Sequence, residues 1–437
     1  MLRIVHEGTP AFDAELARLE RRGESDFERV EPAVREILAA VRAEGDAALL
    51  RYAERFDRRR PDPLVRDSDS GAAALARLPD HAASAMRLAA DRIRAFHARQ
   101  LDYFLSPSHH APWLGFRYEA DGISLGVRCR PLERAGIYAP GGKARYPSSV
   151  LMSAIPAQVA GVKDIVLATP LQGDATDDAI FAAAHLSGVT RIVDSGGAQA
   201  IAALAYGTES VPRVDKIVGP GNLYVACAKR FVFGAVAIDS IAGPSEILVV
   251  ADDEADPRLV AADLLSQAEH DEAAYPLLVC ASELMASAVS EELARQLESL
   301  PRVAIARASV TQNGVVFVAR SRARMASLAN TLAPEHLSLQ VRDPEEMLAQ
   351  IPHAGAVFLG PLTPEAAGDY VAGPSHVLPT GGTVRFGSPL GVLDFFAHTS
   401  LIMYSAEALA AHRAAITDFA RLEGLEAHAR AVEMRLR

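Results

Sequence analysis

The chain has 437 residues, 50% of them hydrophobic and 23% charged, the profile of a soluble globular enzyme or binding protein too long for one ordinary core. Its formal net charge of −11 argues against a general nucleic-acid binder, which needs a basic surface to displace counterions. Three cysteines far apart in sequence, Cys129, Cys227 and Cys280, with no CxxC pair, argue against a disulfide framework and suggest reduced thiols in a cytoplasmic protein. The opening MLRIVHEGTP holds no long apolar run of a secretory signal, and no stretch of about 18 apolar residues occurs, so no membrane partner is expected.

Residues 1–30 read as a small polar arm with one helix, because Phe12, Leu16 and Leu19 recur at helical spacing. A second helix starts at Glu31 with Pro32 in its first turn, carries Val34, Ile37, Leu38 and Val41, and stops near Gly45. The run Arg58-Arg59-Arg60, beside Pro61, Asp62 and Pro63, reads as a solvated loop. A long helix is predicted over residues 81–103, with Met86, Ile93 and Phe96 among charges and one face wet. KDIVLATP (163–170), TRIVDS (190–195) and VDKIVGP (214–220) are short apolar runs, each followed by a helical pattern. That alternation predicts parallel βαβ units in a doubly wound sheet.

A second alternating block starts at EILVVAD (246–252). It runs through a helix at 257–270, a strand YPLLVCAS, a helix near 284–299, strands RVAIA (302–306) and GVVFVAR, and a helix to about 331, then HLSLQV and AVFLG. Residues 361–391, rich in Gly and Pro, form a long loop of the kind that carries sites. From about Gly391 the chain returns to helices, the last with Leu425, Ala429, Val432 and Leu436 on one face, a stripe that needs a partner surface. The expected fold is α/β, two incomplete Rossmann-like doubly wound lobes plus small helical N- and C-terminal arms. Its expected division is an arm at 1–30, a larger lobe from 31–137 with 247–390, a lobe at 138–246 inserted in it, and a C-terminal arm at 391–437.

Three loops open the first lobe: GIYAPGGKARYPSS (136–149), DSGGAQA (194–200) and VGPGNLY (218–224). Glycine at a strand-to-helix junction lets backbone N–H groups approach a phosphate at the helix N-terminus. None is a GxGxxG or Walker loop, so each alone is as readily a tight turn without a ligand. Three together point to a nucleotide cleft at the carboxyl ends of the strands. In LLSQAEHDE (264–272), Gln267 and His270 share a helix face, either as half of a metal site or as a structural pair. Asp369 in GDY and His428 in the last helix are further donors, and such a set suits zinc or manganese rather than calcium. In APEHLSLQV, Glu335 and His336 stand at a proline turn before a strand, placed for proton transfer or simply a capping Glu and a packed His. His376 and Glu423 are further polar groups in apolar settings. Cys280, at the end of a strand, would be a candidate nucleophile, yet no adjacent cue singles it out, and buried packing is expected for all three cysteines.

These stretches together resemble the histidinol dehydrogenase family over nearly the whole chain. The residues that carry the resemblance are ERAGIYAPGG with YPSSVLM, SGGAQAIAALAYGTESVPRVDKIVGPGN, AGPSEILV, DLLSQAEHD, LAPEHLSLQ, GDYVAGPSHVLPTGG and EGLEAHA. The resemblance implies a homodimer that oxidises L-histidinol to L-histidine through bound L-histidinaldehyde, with two NAD. It implies one zinc per subunit on Gln267, His270, Asp369 and His428, the last from the other subunit's tail. Glu335 and His336 would be catalytic, Ser245, His376 and Glu423 would contact substrate beside the metal residues, and Tyr138, Gln199 and Asn222 would line the NAD site. Ser375 stands where the family more usually has Asn, and Lys143 and Arg145 lie beside the cofactor loop. The rivals are a paralogue oxidising another small alcohol, a zinc hydrolase indifferent to NAD, and a non-catalytic dimeric binding protein.

Overall fold

The computed structural model describes residues 2–23, 27–104, 114–141 and 145–436. Within them lie two six-stranded sheets and one three-stranded sheet. The first runs in the order Val65–Asp67, Arg191–Asp194, Asp164–Thr169, Arg134–Tyr138, Lys216–Val218, Ala237–Ile238. Every pairing in it is parallel except that of the edge strand Val65–Asp67. The second runs Arg3–His6, Val315–Val318, Tyr275–Cys280, Glu246–Ala251, His336–Gln340, Ala356–Leu359, parallel throughout. Each is therefore doubly wound, as the alternating apolar runs predict. Strands such as Glu246–Ala251 are buried along their whole length because helices cover both faces, and two apolar clusters flank each sheet.

The order of strands creates the crevices. In the first sheet the chain winds one way from Arg134–Tyr138 and then returns to place Lys216–Val218 on its other side. The second sheet repeats this at Glu246–Ala251, flanked by Tyr275–Cys280 and His336–Gln340. Ligands collect where the winding reverses.

Four expectations are corrected. RVAIA is not a strand, since Val303–Asn313 is a helix with Ala306, Ser309 and Val310 buried at helical spacing. The chain after Gly391 is not all helical, because Phe396–Tyr404 pairs antiparallel with Ile123–Pro131, which pairs in turn with Leu114–Ala120. Arg59 is not a solvated charge: it forms an ion pair with Asp194 and donates to the Leu171 carbonyl at 2.9 Å. The division of the chain also shifts. The described part of the expected arm at 1–30 is integral to the second sheet, because Arg3–His6 forms its edge and Phe12 packs edge-on against Phe317 with centroids 5.1 Å apart. The helices Glu31–Glu44 and Asp46–Asp57 belong with the first sheet, sharing its apolar cluster through Val34, Ile37, Leu38 and Leu49. Local patterning shows that these helices are amphipathic but not which sheet covers them.

The cysteines match expectation. All three are free and buried, and burial pushes the Cys280 thiol up to about 12, which disarms it as a nucleophile.

Candidate active site

A cavity of about 1180 Å³ lies between the two lobes. This exceeds the range of about 300–1,000 Å³ usual for one small ligand. One wall is the carboxyl edge of the first sheet, with Tyr138, Gly196, Gly197, Gln199 and the Gly219–Asn222 loop. The facing wall is the amino edge of the second, with Ser245, Glu335 and His336, closed by Gln267, His270, Glu365, Asp369 and His376. The second lobe thus departs from the carboxyl-edge rule.

The wall at the first sheet is built from close backbone approaches. Gly219 has φ +115, and a Cβ there would stand 2.1 Å from the Tyr138 carbonyl oxygen, so only glycine lets the two loops touch. Gly197 opens a helix and its N–H donates to the Tyr138 hydroxyl at 3.1 Å. Burial pushes that phenol up to about 12, so Tyr138 stays neutral. Asn222 caps the next helix, its side-chain oxygen accepting from the N–H groups of Tyr224 and Val225 at 3.1 and 3.2 Å. Lys229 and Asp239, a buried ion pair, tie the loop down, Lys229 donating to the Gly219 carbonyl at 3.1 Å and Asp239 accepting from the Gly219 N–H at 2.8 Å. Arg145 pins the first loop to the Pro170 carbonyl at 2.6 Å and lies 3.1 Å from Asp177. Lys143 lies outside the described residues.

The opposite wall is set by strand register. Ile247 pairs with His336, which brings the residues before them, Glu246 and Glu335, level at the strand ends. The Glu246 N–H donates to Glu335 Oε2 at 2.8 Å, and the Glu335 N–H donates back to Glu246 Oε1 at 3.1 Å. Burial, then the charge of Glu246, holds the Glu335 carboxyl well above the usual range. Burial pulls His336 down to about 4, so its imidazole is neutral at physiological pH. Arg22 neutralises Glu246 with Nε 2.5 Å from Oε2 and Nη2 2.8 Å from Oε1. Removing one partner of such a buried pair costs about 3–5 kcal/mol.

Gln267 ends the helix Pro257–Ala268, and His270 lies in the following turn, its N–H bonded to the Gln267 carbonyl at 3.2 Å. The helix stops short of the expected 270, and both residues line the cavity. His270 Nε2 is 3.8 Å from Asp369 Oδ2, and donor atoms of His270, Glu365 and Asp369 lie within 4.8 Å of one another. Glu365 was not singled out in the sequence. It stands four residues before Asp369 on the helix Glu365–Tyr370, so the i,i+4 spacing carries the signal. Two buried oxygens here, Gln267 Oε1 and Glu365 Oε1, have no hydrogen-bond partner. Buried polar atoms are paired unless something else meets them, and a cation between these donors would do so. Burial pushes Asp369 up to about 6, and burial with the Asp369 charge pushes Glu365 up to about 8. A divalent ion would reverse both shifts. One imidazole, one amide oxygen and two carboxylates fit a borderline ion such as zinc.

His376 lies beside this cluster, with Nδ1 3.1 Å from the Asp369 carbonyl oxygen and Nε2 3.3 Å from Ser149 Oγ. Ser375 faces away, donating to the Met152 carbonyl at 3.2 Å, and is not part of the cavity wall. Glu423 and His428 are not brought to the cavity. Both are exposed on the C-terminal arm, whose helices Ala406–Leu422 and Glu426–Glu433 pack on each other. Of the expected apolar stripe, Ala429 is buried and Leu425 is not, and Phe419, Leu422 and Met434 beside it are exposed.

Among the described residues, no helix is long and apolar enough to cross a membrane. The profile of a family described as "Histidinol dehydrogenase" matches residues 20–436. The chain is 51% identical to the histidinol dehydrogenase of Syntrophotalea carbinolica, each chain covered in full. It is 47% identical to that of Pseudomonas aeruginosa, covering 100% of this chain and 97% of the other. The crystal structure of histidinol dehydrogenase from Elizabethkingia anophelis superposes with a TM-score of 0.90 at 36% identity, covering 100% of this chain and 98% of that one.

Proposed function

The chain belongs to the histidinol dehydrogenase family of oxidoreductases, acting in histidine biosynthesis, and on that premise we propose that it carries out a zinc-dependent, NAD-linked, four-electron oxidation of L-histidinol to L-histidine through bound L-histidinaldehyde. The observation that supports this most is a neutral buried histidine and a raised glutamate, adjacent in the chain, facing both a set of orphaned metal donors and three glycine-containing loops across one cavity.

Gln267, His270 and Asp369 would hold the zinc, with Glu365 beside them. When bound, the ion supplies a positive template that grips the nitrogens of the substrate. His428 and Glu423 lie on the exposed arm, so a second copy of the chain would deliver them, and a homodimer with shared sites follows. The uncovered Phe419, Leu422 and Met434 support an arm that docks on a partner. Tyr138, Gln199 and Asn222 would line the site of NAD, which accepts a hydride in each oxidation. Ser245 and His376 would contact the substrate. Three buried reduced cysteines accord with the cytoplasm.

In the first oxidation His336 takes the alcohol proton at Nε2. In the second, Glu335 holds a water and removes its proton as it adds to the aldehyde carbon, with His336 sharing the proton. A raised carboxyl is a stronger base than an exposed one. Both steps take place in one cavity, so the aldehyde stays bound between them.

The test is NADH formation from L-histidinol and a panel of other amino alcohols, with zinc measured in the same preparation. Turnover confined to L-histidinol, on protein holding one zinc per chain, is expected. Equal turnover of another alcohol would favour the paralogue, and hydrolysis without NAD would favour a hydrolase.

A further inference from the structure

The Glu335 carboxylate is held by an apparatus that begins at the other end of the chain. Arg22 lies just beyond the helix Pro10–Glu20, yet its side chain is 2% exposed and reaches the amino edge of the second sheet. Its hydrogen bonds point inward. Nε and Nη2 grip both oxygens of Glu246 at 2.5 and 2.8 Å, Nη1 donates to the Leu19 carbonyl at 2.8 Å, and Nη2 also donates to the Leu332 carbonyl at 2.5 Å. Glu246 Oε1 accepts in addition from the N–H groups of Glu335 at 3.1 Å and Gly381 at 3.2 Å. The Glu246 N–H in turn holds Glu335 Oε2 at 2.8 Å. One oxygen of Glu335 is thereby tethered and its backbone is fixed. The other, Oε1, is left as the oxygen for a water.

A buried ion pair with only a packing role is replaceable by apolar side chains of similar volume. This fork also holds the backbone N–H of Glu335 through Glu246 Oε1, and a planar guanidinium constrains direction as well as charge, while Glu335 Oε2 is held by the Glu246 backbone N–H. We infer that Arg22 and Glu246 are positioning residues for Glu335, so that the N-terminal segment governs the water-adding second oxidation and not the first. This rests on the reading of Glu335 as the residue that activates water. The fork bonds the Glu335 N–H, whereas the His336 ring is bonded by Nδ1 to the Glu246 backbone carbonyl at 2.9 Å, so loss of the fork is expected to fall on the second oxidation.

The experiment uses the full-length, zinc-loaded protein and separates the two oxidations. Semicarbazide traps any released aldehyde, NADH is counted per histidinol, and L-histidinaldehyde is also supplied directly. The double variant Arg22→Met/Glu246→Leu removes both buried charges together, so it keeps a packed core while losing the fork. Its second oxidation is expected to fall roughly a hundredfold, the effect of misplacing a reacting group by about 1 Å, while the first stays within a few fold. NADH per histidinol then drops from two towards one and aldehyde is trapped. Arg22→Lys keeps the charge and loses the fork. It is expected to show the same skew in smaller degree, and it decides the matter if the double variant does not fold. Equal loss in both oxidations, or loss in neither, overturns the proposal. Glu335→Gln is measured alongside. If it stops the second oxidation and the Arg22 and Glu246 variants do not, only the positioning role is overturned. If Glu335→Gln leaves the second oxidation intact, the reading of Glu335 falls and the positioning role with it.

Discussion

His336 Nδ1 lies 2.9 Å from the carbonyl oxygen of Glu246. A carbonyl only accepts, so Nδ1 carries the hydrogen and the lone pair belongs to Nε2. Nε2 is 3.7 Å from Glu365 Oε1, beside the candidate metal donors. The backbone of one strand thus selects which nitrogen of the next can act as a base.

Replacing His336 by Asn keeps a donor for the Glu246 carbonyl and removes the base. Turnover of L-histidinol should fall by about 10²–10⁴-fold, the usual worth of a positioned general base. Zinc content, measured by atomic absorption, should be unchanged. Near-native turnover would take the base role away from His336.

Glu335→Gln should separate the two oxidations. Aldehyde forms, then waits for a water that nothing deprotonates. Single-turnover NADH bursts should show the first hydride transfer near its native rate and the second slowed by about 10²–10⁴-fold. A uniform slowing of both would assign Glu335 to something other than water.

Burial holds His336 and His376 at about 4, against an ordinary value of 6.5. Between these values the unfolded chain binds protons that the folded one refuses. Stability is therefore lost as pH falls from 6.5 towards 4, by roughly 3 kcal/mol per histidine at the acid end. Glu335, Glu365 and Asp369, all raised, have the opposite sign and lose stability as pH climbs through their folded values. Urea denaturation of zinc-free protein at pH 7, 5.5 and 4 should show His376→Asn losing less stability on acidification than the native chain. Identical pH slopes for the variant and the native chain would mean His376 is not held neutral by burial.

Shared sites make a sharp forecast for mixed subunits. His428→Ala breaks the tail and His336→Asn breaks the body, so each homodimer is inactive. A heterodimer has one site with an intact body and an intact tail. Co-refolding equal amounts should restore about a quarter of native activity, from half-active heterodimers making up half the population. No recovery would place His428 outside the partner's site.

Much of this was legible in the sequence. The runs at 164–169, 191–194, 246–251 and 336–340 are strands because apolar stretches bounded by helical patterns have no better way to be buried. Gln267 with His270, and Glu335 with His336, are legible as pairs because each pair is close in sequence, and all four line the cavity. What was hidden depends on distant pairing. RVAIA has a strand's composition, but Ala306, Ser309 and Val310 find their burial as one helix face. Arg3–His6 is a strand because an edge 312 residues away accepts it, Arg3 pairing with Val315. Arg22 and Glu246 are 224 residues apart, and nothing local in either stretch announces that they meet.

The most direct test of the central claim is NADH formed per L-histidinol consumed, with and without a metal chelator. Two NADH per substrate, abolished by the chelator and restored by zinc, is the expected result. One NADH per substrate, or two that persist after chelation, would contradict it.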